Sequence, residues 1–166
     1  MTSNHGEHTT GVTEITIRPM NEADITPYCA LFENVFSRPP WNEHWTQPQI
    51  SAIISRQIRK KGFFGLAATM SCGTIGFLTG FRVLPVTSLF YIDQLFVSTG
   101  YQGLKTGKKL LTQAELELRQ QGVFRTMLLT KPGSFAETFY RKNGYAPLVR
   151  LFRFRGKALY SKHLQG

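Results

Sequence analysis

One junction near the middle of the chain limits the fold more than any other feature. Residues 88–97, SLFYIDQLFV, form the most apolar run in the sequence. It has the length of a strand at the centre of a sheet and falls well short of a membrane span. Glycine-bearing turn residues follow at Thr99-Gly-Tyr-Gln-Gly103. Residues 103–121 then place Leu104, Gly107, Leu110, Leu111, Ala114 and Leu118 on one helical face, with Glu115 and Arg119 as an i,i+4 pair and Gly122 as the stop. A buried strand that feeds through glycines into an amphipathic helix predicts a layered α/β domain.

The flanking segments agree. Residues 12–18, VTEITIR, alternate in strand fashion, and Pro19 ends them. Asn21 and Asp24 form a capping box for a helix that carries Ile25, Tyr28, Cys29, Phe32, Val35 and Phe36 on one face, its regular part starting near Asp24 because Pro27 belongs in a first turn. Pro39-Pro40 stops it, and WNEHW at 41–45 reads as a loop. Thr46 and Gln49 cap a second helix that runs through Ile50, Ile53, Ile54 and Ile58 to Gly62. Residues 63–70 and 74–83 flank a hairpin turn at Ser71-Cys-Gly73, residues 126–130 are a short strand, and Ser134 with Glu137 caps a last helix ending at Asn143-Gly144. Residues 145–160 hold one or two more strands. The expected fold is a mixed, mostly antiparallel sheet of six to seven strands flanked by about four helices, as one domain over 12–166 after a flexible tail at 1–11.

Charge is unevenly spread. Residues 1–50 hold two basic and six acidic groups, whereas residues 51–166 hold 18 basic and four acidic ones. The basic part calls for an anionic partner: nucleic acid, a membrane surface or a phosphorylated cofactor. Zinc-finger spacing, RNP-like aromatics and a helix-turn-helix pattern are all missing, which argues against nucleic acid. The polar start, with no Lys or Arg in its first eleven residues, lacks the features of a signal peptide, and a cytoplasmic protein is expected. Two cysteines, Cys29 and Cys72, exclude a disulfide scaffold and are expected as buried free thiols; no metal site is expected, His5 and His8 having no third ligand nearby.

Two segments carry chemistry. Tyr101-Gln-Gly-Leu-Lys-Thr-Gly-Lys-Lys109 opens a helix after an apolar strand, where unpaired N–H groups, the helix dipole and three lysines suit a phosphate. The bland alternative is a helix start that needs a turn glycine. Phe139-Tyr140-Arg-Lys-Asn-Gly144-Tyr145 puts a phenol one turn before a helix stop, either as a proton donor or as a core aromatic.

In this order and spacing the two segments resemble the GNAT superfamily of acyl-CoA-dependent N-acetyltransferases, over roughly residues 12–160. Gln102 to Gly107 fills the family's Q/R-x-x-G-x-G/A pyrophosphate signature, with Lys105 where a glycine usually stands. LFVSTGYQ looks like the family's central strand and turn, FYRKNGY resembles its late helix, and PWNEHW is similar to a segment of some bacterial members. Gly133 stands where many members carry an Asn that holds the pantetheine arm.

The resemblance implies direct transfer from acetyl-CoA to an amine in a ternary complex, without a metal. Backbone groups near Leu95, Phe96 and Val97 would pair with the pantetheine. Gln102, Gly103, Leu104, Lys105, Thr106, Gly107 and Lys108 would hold the pyrophosphate, and Tyr140 would protonate the thiolate. Asp93 is the one carboxylate on the central strand; its parity with Leu95 and Val97 predicts the same sheet face, as a base or as a buried, hydrogen-bonded group. The early helices, with Asp24, Glu33 and Glu43 and the aromatics Phe36, Trp41, Trp45 and Tyr91, suit a cationic acceptor, on a small molecule or a lysine side chain. An ordinary solvated acidic helix explains them equally well. A non-catalytic acyl-CoA-binding module remains the alternative, prompted by Lys105 and Gly133. Oligomeric state is left open, a homodimer included.

Overall fold

The computed structural model describes residues 14–148 and 153–164. Among them eight strands and four helices follow in the order β1 (Thr16–Pro19), α1 (Ile25–Phe36), α2 (Gln47–Ile58), β2 (Phe63–Met70), β3 (Gly73–Arg82), β4 (Leu89–Val97), α3 (Thr106–Gln120), β5 (Arg125–Thr130), α4 (Phe135–Lys142), β6 (Ala146–Pro147), β7 (Arg153–Phe154) and β8 (Lys157–His163). The sheet order is β1-β2-β3-β4-β5-β8-β6, with β7 pairing β8 off this path. The β4–β5 pair is parallel; every other pair is antiparallel. The expected tail at 1–11, with its two histidines, lies outside the described residues.

The capping signals act as read. Asn21 Oδ1 accepts from Ala23 N–H (2.9 Å) and Asp24 Oδ2 from Asn21 N–H (2.9 Å), so a 3-10 turn precedes α1. Gln49 Oε1 accepts from Thr46 N–H at 3.0 Å. Ser134 Oγ accepts from Glu137 N–H at 3.1 Å, while the Glu137 carboxylate reaches Gly133 N–H (2.6 Å) rather than that of Ser134.

The sheet separates two cores. On one face, Leu110, Leu111, Ala114 and Leu118 of α3 pack with Leu66, Leu78, Phe90, Ile92 and Val97, and Tyr140 of α4 joins them. On the other, α1 and α2 bring Tyr28, Phe32, Phe36, Ile50 and Ile54 against Ala67, Phe77 and Phe96. Each fully buried Leu or Phe contributes about 1.5–3 kcal/mol relative to exposure, so these stripes hold the helices in place.

Several expectations need correction. The third helix starts at Thr106, because Gly103 (φ +88°) and Lys105 (φ +61°) take left-handed conformations that keep residues 103–105 in a turn. Leu104 consequently leaves the helical stripe and is 53% exposed. Glu115 pairs with Lys162 of β8 (2.6 Å) and accepts from the Tyr145 hydroxyl (3.0 Å), and makes no ion pair with Arg119. The C-terminal segment holds three strands among the described residues. Both cysteines are free, but Cys72 sits in the β2–β3 turn and is exposed.

One irregularity shapes the site. Thr79 pairs with Gln94 but Gly80 pairs with Ile92, which leaves Asp93 as the extra residue of a β-bulge in β4. A bulge bends its strand and increases the local twist. Just before it β4 leaves β5: the two pair only from Leu89↔Arg125 to Tyr91↔Met127, although β4 continues to Val97 and β5 to Thr130. The sheet therefore splays open along the C-terminal half of β4.

Candidate active site

A cleft of about 570 Å³ occupies this opening. Leu95, Phe96 and Val97 form one wall, Gln102, Gly103, Lys105, Thr106, Gly107 and Lys108 one end, and Phe139, Tyr140 and Asn143 of α4 the other wall. Sequence reading of the junction thus placed nine of these side by side with Tyr140. Leu104 and Asp93 do not line the cleft.

The α3 end of the cleft is built for an anion. The first helical hydrogen bond runs from Lys109 N–H to the Lys105 carbonyl (2.9 Å), so the N–H groups of Thr106, Gly107 and Lys108 have no helical acceptor. No side chain caps this terminus and no acidic residue stands in its first turn. Three free donors, the positive end of a fifteen-residue helix and the lysines at 105 and 108 converge on one spot. Gln102 keeps the turn on the strand end, donating its amide to the Val97 carbonyl at 3.0 Å. Thr106, 1% exposed, reaches back to the Tyr101 carbonyl (3.4 Å).

Gly107 is informative because the protein itself does not require it. A Cβ there would stand 3.6 Å from the Phe139 ring and 3.9 Å from Val97, ordinary contacts. What a larger residue would fill is the cleft. The residues present therefore fit a phosphorylated ligand such as coenzyme A.

Tyr140 lies 8% exposed on α4, its ring edge-to-face with Phe139 and Tyr145. Burial holds its hydroxyl well above the ordinary phenol range, with Tyr91 adding to the effect. It is therefore a neutral phenol at physiological pH. Its helix is anchored by Glu137, which accepts from Gly133 N–H, the Tyr160 hydroxyl and Arg141 Nε, and whose pKa these donors lower to about 2. Gly133, in a left-handed turn (φ +78°), supplies that N–H and brings no side chain to the cleft.

Asp93 faces the other way from its expected direction. The bulge breaks the alternation, so Leu95 and Val97 turn toward the α3 core while Asp93 turns toward α1 and α2. It lies in a separate pocket of about 80 Å³ with Tyr28, Phe32, Trp45, Ile50, Ile53, Gln57 and Gln94. Gln57 Nε2 donates to its Oδ2 at 2.9 Å. Burial raises its pKa; the Gln57 hydrogen bond and the charges of Lys157 and Lys60 oppose the rise. Thr79, which pairs with Gln94 beside the bulge, keeps a buried hydroxyl without a partner among the described residues.

The aromatics divide. Trp41 and Phe36 line the large cleft, Trp45 the small pocket, and Tyr91 packs at a tilt against Phe81. Sequence reading missed Val35, Tyr101, Phe135, Lys142 and Asn143 as cleft residues. For Phe135 and Asn143 the i,i+4 series 135, 139, 143 along α4 and its C-cap carried that signal. Phe135, 91% exposed, stands at the mouth.

A splayed parallel pair, an uncapped helix terminus at the gap and a buried phenol across it make a cleft suited to an extended, phosphorylated ligand. The family model of the acetyltransferase (GNAT) domain matches residues 22–160, and the chain belongs to that family. No curated protein sequence matches it significantly. Among solved structures, it is similar to a GNAT-family acetyltransferase of Staphylococcus aureus (20% identity, 92% of this chain and 100% of that one, TM-score 0.74). It is also similar to the PaiA N-acetyltransferase of Thermoplasma acidophilum in complex with coenzyme A (18%, 90% and 99%, TM-score 0.75). A third is a ribosomal-protein-alanine N-acetyltransferase of Brucella melitensis (17%, 89% and 99%, TM-score 0.71). At these identities the likeness is one of fold. No helix among the described residues is long and apolar enough to cross a membrane.

Proposed function

We propose that the protein transfers an acetyl group from acetyl-CoA to a primary amine of a small molecule or peptide, by direct attack within a ternary complex. The observation that carries this reading is the uncapped start of α3, whose residues Thr106, Gly107 and Lys108 line the same cleft as Tyr140.

Bound acetyl-CoA supplies a thioester carbonyl that an uncharged amine attacks. The α3 terminus and Lys105 and Lys108 hold the diphosphate as fixed dipoles and charges. The backbone of β4 beyond Tyr91, released from β5, offers main-chain groups for a strand-like ligand. Tyr140 donates a hydrogen bond to the sulfur as negative charge builds there. Its raised pKa exceeds the ~8.5 of a free thiol, so its work is stabilising the leaving thiolate more than transferring a proton outright. Asp93 lies outside the cleft, on the α1–α2 side of β4, so it takes the amine's proton through water; its raised pKa suits a base.

The test is release of coenzyme A thiol from acetyl-CoA with and without a panel of primary amines. Amine-dependent release, lost in Gly107→Glu while that variant keeps its fold, supports the reading. Acetyl-CoA binding without amine-dependent release from any member leaves a non-catalytic binding module.

A further inference from the structure

Asp93 is held by one side chain, and what that side chain does rests on the reading of Asp93 as the base. On α2, Ile50 (3% exposed) and Ile54 (0%) form the face packed against the sheet. Gln57 comes seven residues after Ile50 and three after Ile54, so it continues that face. An apolar residue would extend the packing there; the chain has an amide instead. From the sheet, the bulge brings Asp93 and Gln94 into the small pocket that Gln57 also lines.

Gln57 Nε2 donates to Asp93 Oδ2 at 2.9 Å, the one hydrogen bond that this carboxylate accepts among the described residues. Oδ1 accepts none. It is not sealed from water either, since Thr79 Oγ1 is the one buried side-chain polar atom without a partner among those residues. The two oxygens are therefore unlike. Oδ2 is tied to α2, which its capping pair Thr46–Gln49 and buried Ile54 hold in place, whereas Oδ1 is open.

A hydrogen bond donated to a carboxylate favours its ionised form, the form that accepts a proton. It also stops the carboxylate from turning, and a base must reach its proton directly or through one water. Gln57 alone does both. Tyr28 of α1, Tyr91 of β4, Lys60 beyond α2 and Lys157 of β8 act on Asp93 by charge without a hydrogen bond, and Glu43 is engaged with the indole of Trp45 (2.7 Å), whose ring lines the pocket.

We propose that Gln57 is a positioning residue of the transfer: its amide fixes Asp93 Oδ2 and leaves Oδ1 as the oxygen that takes the amine's proton through water. In that step an N–H bond of the attacking amine breaks, water passes the proton on, and an O–H bond forms at Oδ1.

The experiment follows kcat for coenzyme A thiol release against pH, with the best primary amine of the panel, in the wild type, Gln57→Leu, Gln57→Glu and Asp93→Asn. Acetyl-CoA affinity is the control for fold. Burial raises the hydroxyls of Tyr28 and Tyr91, so both stay neutral through the acid limb; the lysines and the amine's own titration are common to all four proteins. Gln57→Leu removes a donor to the charged form, so the acid limb should move up by about 0.5–1.5 pH units, the effect of one hydrogen bond to a partly exposed charge. Above the limb kcat should fall about 5–50-fold through lost orientation. Gln57→Glu sets two carboxyls at one site and should raise the limb further. Asp93→Asn should remove the limb with most of the activity. If Gln57→Leu does not bind acetyl-CoA, Gln57→Glu carries the test. A limb left in place by the Gln57 variants, whatever happens to kcat, overturns the proposal and leaves Asp93 as the base. Asp93→Asn with the wild-type kcat and limb overturns the base and the proposal together, and acetyltransfer stands. No release with any amine overturns all three.

Discussion

Lys105 is the position where the chain departs from the family signature, and replacing it with glycine separates backbone strain from charge. In the structure Lys105 has φ +61° and ψ +13°. An L-residue in the left-handed region costs about 1–2 kcal/mol. Glycine removes that cost but gains unfolded-state freedom worth about 0.5–1 kcal/mol. The Lys105 side chain is exposed and makes no ion pair among the described residues, so nothing else is lost from the unliganded protein. Lys105→Gly should therefore gain about 0.5–1 kcal/mol. For a domain of this size that raises Tm by about 1–4 °C. Coenzyme A should bind about twofold to fivefold more weakly, because an exposed cation near a diphosphate contributes about 0.3–1 kcal/mol. Lys105→Ala keeps the Cβ and loses the charge. It should show the same loss of affinity with no gain in Tm. The assays are thermal unfolding of the free protein and calorimetric titration with coenzyme A. An unchanged or lower Tm for Lys105→Gly would refute the left-handed turn. A marked gain in affinity would mean that the side chain obstructs the cleft.

Tyr140→Phe keeps the ring packing and removes the hydroxyl; kcat should fall about 10–100-fold with little change in the KM for acetyl-CoA, as measured by steady-state kinetics. Asp93→Asn should lower activity yet raise Tm at pH 7. The folded pKa of Asp93 is raised, so its ionised form destabilises the fold above the unfolded pKa, and the gain should vanish below about pH 3.8, where Asp93 is protonated in both states. Gly80→Ala would put a Cβ 2.2 Å from the Tyr91 carbonyl and 2.6 Å from the Phe90 ring. It should cost at least about 3 kcal/mol, seen as a Tm lower by about 6–12 °C in thermal unfolding.

Local chemistry explains why so much of the fold was legible. The capping pairs Asn21–Asp24, Thr46–Gln49 and Ser134–Glu137 satisfy N–H groups within one turn, so the sequence shows both partners. The strand, turn and helix around Gly103 are likewise set by near neighbours. The misreadings lie where distant pairing decides. The bulge at Asp93 depends on how β3 meets β4, and the clash that any Cβ at Gly80 would meet is invisible without that register. A plain count of two then put Asp93 on the wrong face. The left-handed Lys105 was hidden because lysine rarely takes that conformation. The ion pairs that Asp24 makes with Arg18 and Glu22 with Arg59 were hidden as well, since a charge count does not show which groups meet.

A crystal structure with coenzyme A bound tests the central claim most directly. The account predicts diphosphate oxygens within about 3 Å of the N–H groups of Thr106, Gly107 and Lys108, the pantetheine in the gap between β4 and β5, and the sulfur beside the Tyr140 hydroxyl. Coenzyme A bound elsewhere on the surface, or with its phosphates away from the start of α3, would contradict it.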